Sequence, residues 1–600
     1  MAVNRSSNVN TDSMYATIVQ LNDRWTEETL PRQLNDAGSK YDGGVIDPAC
    51  GIPLPNHNAT PSVMAVWAAS LVNPDSRYYR DAGLLESLDR ASAYMLKQQH
   101  ADGTISPGWT NYHSPPDTGF IVAGMAQFYR LLAAEAEAWE PLQPTAAKVR
   151  LFLERTVPAM LTGGCHTPNH RWVMTAALAS LHELFPNAAL LDRSEAWLAE
   201  GMDITEDGEW TERSNGIYNA VSDIMLYHTA RLLKRPELLE PVRSNLRMML
   251  YLVHPSGEIV TDYSGRQDFG KIHHLSNYFL IYRLMASHDN DPQFASMADY
   301  AARTLEQPGG VYNNEAVAYR LFPELRQDEI ERAPLPEQYE FILNATYPAE
   351  QLLAQAQQAG HQFRIQHSRM HTEFGAPVVR YRDGETSITM MSETSSFFSL
   401  RHGKARLLGV QLSSSFSPGI VPMQRLIRTE QGTSSYRLYA EVDKGYNGTI
   451  PAELLPESSR SEMSPWYLLP HQHRPMTHSQ THRVQVDVQG VDHLTWQVRV
   501  SSDSPEDVFT QIAFIFGEEG QFVVEAGDKE SVLQQAAPHA QFWKQGCVRY
   551  QVGEDRIELE AGAHEHTLTG VRDIQHPSGA SSLLVNLITP FEHTFTLRLS

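Results

Sequence analysis

The chain has 600 residues, 42% of them hydrophobic, enough for more than one buried core and for two or three domains. Its 71 acidic against 48 basic residues leave a formal charge of −23, which argues against nucleic acid or an anionic membrane surface as partner. Three widely spaced cysteines (Cys50, Cys165, Cys547) make no disulfide framework, the N-terminal stretch lacks a signal-like apolar core, and no apolar run is long enough to span a bilayer, so a cytoplasmic setting is expected.

A first helix is predicted over Tyr15 to Leu30, followed by a loop dense in Gly, Pro and Asn (YDGGVIDPACGIPLPNHNAT). From Pro61 to Leu305 apolar residues recur at three and four over about ten segments, among them PSVMAVWAASLV, RWVMTAALASLHELF and IYNAVSDIMLYHTARLL. Short and long loops alternate between these helices. That pattern predicts stacked helical hairpins in an α/α toroid, with the long loops gathered at one mouth. Residues 306–360 read as a connector carrying short helices such as PEQYEFILN. Beyond it the period changes to two, as in APVVRYRDGETSITMMSE with an Asp383-Gly384 turn and HRVQVDVQGVDHLTWQVRVSS, which predicts an antiparallel β-sandwich. Ser, Pro and Gly between Gly409 and Pro470 make that stretch read as loop-rich. The expected division is toroid 1–305, connector 306–360 and sandwich 361–600.

Two polar clusters are separated by about 35 residues of amphipathic helix, which puts two loops at one end of a helical pair. GGCHTPNHRWV brings Asn169 and His170 to a helix start, where free N–H groups and the helix dipole favour an anion. DGEWTERSNGIY supplies Glu212, Arg213 and Tyr218. Two further loops are candidates for the same mouth: GWTNYHSPPD with Trp109, Tyr112, His113 and Asp117, and TDYSGRQDFG with Tyr263 and Arg266. Pro168 breaks helical geometry between His166 and His170, so no metal-ligand set is read, and no cofactor motif is present.

The pair Asn169-His170 followed by DG-x-x-x-E-x-S-x-x-x-Tyr (Asp207, Gly208, Glu212, Ser214, Tyr218), in a toroid followed by a β-sandwich, resembles the heparinase II/III-like polysaccharide lyases, a group with heparinase III-type and oligoalginate lyases. The resemblance implies that Asn169 meets a uronate carboxylate, that Tyr218 gives a proton to the leaving glycosidic oxygen, and that His170 is a site histidine. It also implies a further histidine from the sandwich, for which His402 and His371 are the nearest candidates.

The residue types suit that chemistry by themselves. Removing the proton at C5 of a uronic acid puts new negative charge beside a carboxylate, so neutral donors and cations must hold that carboxylate. Asn169 can donate two N–H bonds, and Arg171, Arg213 or Arg266 can present a matching fork. Other uses of the same residues stay open: Asn169 as a helix cap, Tyr218 as a core tyrosine, Glu212 as an acid at a helix start. Asp117 with Glu212 could instead be the acid and base of a glycoside hydrolase such as a glucuronidase. A non-catalytic carbohydrate-binding protein is the third reading. The expected partner is a uronate-containing oligo- or polysaccharide, and a homodimer is left open.

Overall fold

The computed structural model describes residues 11–326, 329–348, 351, 352, 354, 373–429, 434–455, 466–526, 529–533, 540–568, 571 and 579–600. Among them are twelve α-helices: α1 Thr11–Thr29, α2 Thr60–Val72, α3 Ala82–Gln98, α4 Pro115–Ala138, α5 Gln143–Thr162, α6 Asn169–Leu184, α7 Ala188–Leu198, α8 Tyr218–Leu233, α9 Leu239–Met249, α10 Phe279–Asp289, α11 Pro292–Ala302 and α12 Glu315–Leu321. The ten segments read as helices between Pro61 and Leu305 correspond to α2 through α11.

The helices form two layers because their sequences have two kinds of surface. In α2 every residue but Ser62 is buried, as expected of a helix apolar all round. It packs on α4, α4 on α6, and α6 on α8, and these make the inner layer. Outer helices bury one stripe: α9 buries Leu239, Val242, Leu246 and Met249, and α3 buries Leu84, Leu88, Ala91 and Met95. α12 returns to pack on α1, α2 and α4, so the ring closes with a helix from the stretch expected to be a mere connector.

Among the described residues the C-terminal half is a sandwich of two nine-stranded sheets. Among the described residues all strand pairs are antiparallel except Ala540–Phe542 beside Ser581–Ile588. Leu412, Ile512, Phe514 and Val585 from one sheet meet Leu438, Val486, Val498 and Phe595 from the other. Two expectations are corrected here. The stretch QYEFIL is a strand, Gln338–Leu343, paired with Val378–Asp383. The loop-rich reading of 409–470 missed the 13-residue strand Ser435–Asn447, whose Tyr436, Leu438 and Ala440 alternate into the core. The expected turn after Asp383 is a two-residue loop of Gly384 and Glu385, and Gly384 adopts a φ of 54°. No helix among the described residues is long and apolar enough to cross a membrane.

A buried polar seam joins the two halves. Arg401 Nη2 donates to Asp262 Oδ1 at 2.8 Å, Thr389 Oγ1 donates to Asp262 Oδ2 at 3.2 Å, and His254 Nδ1 lies 2.9 Å from Ser387 Oγ. Part of the DGEWTERS stretch serves this seam. Asp207 accepts from the Asn344 N–H at 2.6 Å, and Glu209, fully buried, accepts from the Gly375 N–H at 2.9 Å. Gly208 is required by its φ of 97° and because a Cβ there would stand 2.3 Å from the Ser244 carbonyl oxygen.

Candidate active site

The inner helices α4, α6, α8 and α10 each follow a long loop, and those loops meet at one end of the toroid. α6 begins at Asn169, and its first N–H has no partner within the helix. Glu212, from the loop before α8, supplies one: its Oε1 accepts from Asn169 N at 2.8 Å and from Asn169 Nδ2 at 2.5 Å. Asn169 therefore is not the cap of its own helix. It is the residue through which an anion from another loop is fixed to that helix start, an arrangement the dipole favours by about 0.3–2 kcal/mol. The second amide proton of Asn169 goes to Thr167 Oγ1 at 3.3 Å, and its Oδ1 is buried without a partner.

The other oxygen of Glu212 accepts from Arg266 Nη1, and the Arg266 guanidinium lies over the Tyr218 ring, 4.4 Å from its centroid. Tyr218 is the first residue of α8, and its N–H donates to Ser214 Oγ at 3.2 Å. Asp268 ties the two loops together, accepting from Ser214 Oγ at 2.9 Å, Gly216 N at 2.9 Å and Ser264 Oγ at 2.5 Å. Burial pushes the Tyr218 phenol above its ordinary value, against the pull of Arg266, so it holds its proton at neutral pH.

His170 sits one residue into α6 with its Nδ1 buried and unpartnered. Burial lowers its pKa to about 3, and His166, Arg266 and His57 add to the effect, so the ring is neutral. Phe120 connects it to His57, with ring centroids 6.3 Å from His170 and 4.4 Å from His57. His57 is itself lowered to about 4 by burial, which Asp117 opposes. Asp117 is in the first turn of α4 and accepts from Ser114 Oγ at 2.5 Å and Asn111 Nδ2 at 2.9 Å, so it closes a cap with Ser114.

Asn169, His170, Glu212, Tyr218 and Arg266 thus form one group, with Asp117 at its edge behind His57. Other expected residues stand apart. Arg213, at a φ of 46°, turns away from Glu212 and is fully buried against the sandwich, donating to Glu209 at 3.2 Å and the Glu373 carbonyl at 2.6 Å. Tyr263 lies beneath it, 4.8 Å from its guanidinium, and is 1% exposed. His402 follows Arg401 in a strand, so alternation aims the two side chains at opposite faces; its Nδ1 is 3.0 Å from Thr386 Oγ1, and the field of Asp555 acts on it. Neither Arg213 nor His402 is available to the group. His371 is outside the described residues. Trp109 and Tyr112 are 51% and 73% exposed on the loop before α4. His113, next to them, is bonded to Asp102 at 2.9 Å and stacked on His100 at 3.7 Å.

Arg266 also borders a cleft of about 420 Å³ between the toroid loops and the sandwich, whose far wall is Glu393, Thr394, Ile420 and Pro422. Reading by motif did not single out His57 or Tyr312. His57 lies in the polar PNHN stretch before α2, the one local signal that could have marked it, and Tyr312 packs on Phe120 and His57 only once the ring has closed.

No protein-family model matches the sequence, and no curated protein matches it. Solved structures do. A heparinase III superposes with a TM-score of 0.50 at 10% identity, over 100% of this chain and 87% of that one. A Paenibacillus xanthan lyase superposes with a TM-score of 0.50 at 9% identity, over 99% of this chain and 58% of that one. In fold, helical toroid and two-sheet sandwich together, this chain is similar to these two lyases.

Proposed function

We propose that the protein is a lyase that cleaves uronate-containing oligo- or polysaccharides by β-elimination at the mouth of the toroid. The observation that carries this reading is the chain of contacts from Asn169 through Glu212 and Arg266 to Tyr218. It sets an amide donor and a guanidinium beside a protonated phenol, the set that elimination next to a carboxylate needs. Glu212 orients both donors. The Asn169 proton on its long bond to Thr167 and the remaining edge of Arg266 are what a uronate carboxylate would take.

Tyr218, protonated, is the acid that delivers a proton to the leaving oxygen. His170 is the base for C5. A bound uronate brings negative charge that offsets the Arg266 field and raises its basicity. Donors fixed around the developing enolate add to the acceleration. The hydrolytic alternative finds less support, because Glu212 has both oxygens in hydrogen bonds and Asp117 is held in a helix cap. Three cysteines, odd in number and far apart in the sequence, favour a cytoplasmic setting with short oligosaccharides as substrates, and the division 1–305, 306–360 and 361–600 is part of the same reading, with α12 and the strand Gln338–Leu343 interlocking the parts.

The test is ultraviolet absorbance and reducing ends measured together on a panel of uronate oligosaccharides. A conjugated unsaturated uronate appearing in step with new reducing ends is the expected result. Reducing ends without absorbance would overturn elimination in favour of hydrolysis.

A further inference from the structure

A second cavity, of about 710 Å³, opens on the other side of the α8 start. Ile217, Ala220 and Val221 form one wall, and His273, Tyr312 and Glu315 stand among the others. It adjoins the group described above. Ile217 immediately precedes Tyr218, and the Tyr312 ring lies 5.3 Å from Phe120 and 6.0 Å from His57.

Two buried polar atoms in this wall have no partner within the protein. Glu315, the first residue of α12, is 2% exposed, and its Oε2 has no hydrogen-bond partner. Burial pushes its carboxyl up to about 8, so it keeps its proton at neutral pH and can donate as well as accept. His273 Nε2 is likewise buried and unpartnered, and burial holds that imidazole below its ordinary value. Unmade bonds at buried polar atoms are destabilising, and folded proteins keep few of them. Two facing one cavity of ligand size are accounted for when a ligand supplies their partners.

The charge of the wall decides which ligand. Among the described lining residues Arg303 is the one Lys or Arg, and it is exposed at the rim. A carboxylate or sulfate placed against Glu315 would meet a carboxyl and a neutral imidazole with no buried cation to offset its desolvation. Hydroxyl groups, which both donate and accept, can bond a protonated carboxyl and either tautomer of a neutral imidazole.

Building on the uronate reading, we propose that this cavity is a subsite for an uncharged pyranose unit joined to the uronate, with Glu315 and His273 bonding its hydroxyl groups. The subsite would make the preferred substrate a chain in which uronate alternates with a neutral sugar, not a run of uronates.

The test is calorimetric titration of the whole protein at pH 7 with two tetrasaccharides, one alternating uronate with a neutral hexose and one of uronate alone. Wild type is expected to bind the alternating probe about tenfold more tightly, which is about 1.4 kcal/mol. Glu315→Ala should abolish that preference by weakening the alternating probe alone. Glu315→Gln, still a neutral donor and acceptor, should retain it. His273→Ala provides a second variant, with the same loss expected, should Glu315→Ala fold poorly. Equal binding of both probes by wild type, or wild-type preference in Glu315→Ala and His273→Ala, overturns the subsite and leaves elimination standing on its own absorbance test. Binding of neither probe, with no unsaturated product formed, overturns the uronate reading and the subsite with it.

Discussion

Two arginine–carboxylate groups lie four residues apart along one loop, and they serve opposite ends. Asp262 is paired with Arg401 in the seam between toroid and sandwich, with His254 Nε2 3.5 Å from the same carboxylate. Arg266 is paired with Glu212 at the mouth, with Asn169 and His170 alongside. The chemistry is nearly the same, and both histidines are neutral, His254 lowered to about 4 and His170 to about 3, in each case chiefly by burial. The difference is closure. The Arg401 side chain is 2% exposed, and its Nη1 donates at 2.9 Å to the Leu407 carbonyl, whereas the Arg266 side chain is 14% exposed and borders an open cleft. A sealed pair of this kind holds two domains together, and an unsealed one is left able to meet a ligand.

The comparison is broken most strongly at Tyr218. Removing its hydroxyl in Tyr218→Phe should lower turnover by about 10²–10⁴-fold, the range for a lost proton-transfer group, and leave the midpoint of thermal unfolding near wild type. Steady-state rates on a uronate oligosaccharide and a melting curve check both halves. Unchanged turnover would return Tyr218 to the core residues.

At the sealed pair the expectation inverts. Arg401→Met leaves Asp262 buried with its main counter-charge gone, since burial pushes that carboxyl up and Arg401 is the largest of the groups holding it down. The loss should be about 3–5 kcal/mol of stability, read from denaturant unfolding, with turnover per folded molecule near wild type. A selective loss of turnover would mean that the seam also shapes the mouth.

How much of this could be read from sequence follows from the range over which each feature is determined. The inner helices were legible because apolar periodicity is local, and the sandwich because alternation is. The strand Ser435–Asn447 was not, since flanking Ser, Gly and Pro hid its inward residues. Within DGEWTERSNGIY the composition marked the right stretch but could not divide it. Asp207, Glu209 and Arg213 go to the sandwich, and Glu212, Ser214 and Tyr218 to the mouth. That division turns on the left-handed backbone at Arg213, which nothing in a non-glycine residue announces. His402 is one of the two nearest sandwich histidines that the resemblance offers, and strand alternation faces it away from Arg401 and the seam.

A smaller effect separates orientation from chemistry within the open pair. Glu212→Gln keeps an acceptor for Asn169 but loses the charge that fixes the Arg266 guanidinium over Tyr218. Misplacing donors by a fraction of an ångström should lower kcat by roughly 10–100-fold. Rates should fall at saturating substrate, and a change confined to KM would make Glu212 a binding residue only.

The least effect on activity, and the clearest pH signature, is expected at Glu315. Its folded-state pKa is raised by burial to about 8, against about 4.3 in an unfolded chain. Between those values the folded protein holds a proton that the unfolded chain has released, so stability falls as pH rises through this window and levels off above it. The titratable groups sharing the cavity wall are His273, His274, Arg303, Glu306 and Tyr312, of which Arg303 is the one Lys or Arg and stands at the exposed rim. Glu315→Gln removes the titration and should raise the unfolding midpoint little at pH 5 and more at pH 8, where the gain is on the order of a few kcal/mol. Calorimetric melts at both values measure it, and a gain independent of pH would mean that Glu315 is ionised in the folded protein. A gain that grows from pH 5 to pH 8 would expose a stability cost that the wild-type chain carries at this wall, as it does at the mouth, where Asn169 Oδ1 and His170 Nδ1 are buried without partners in the protein.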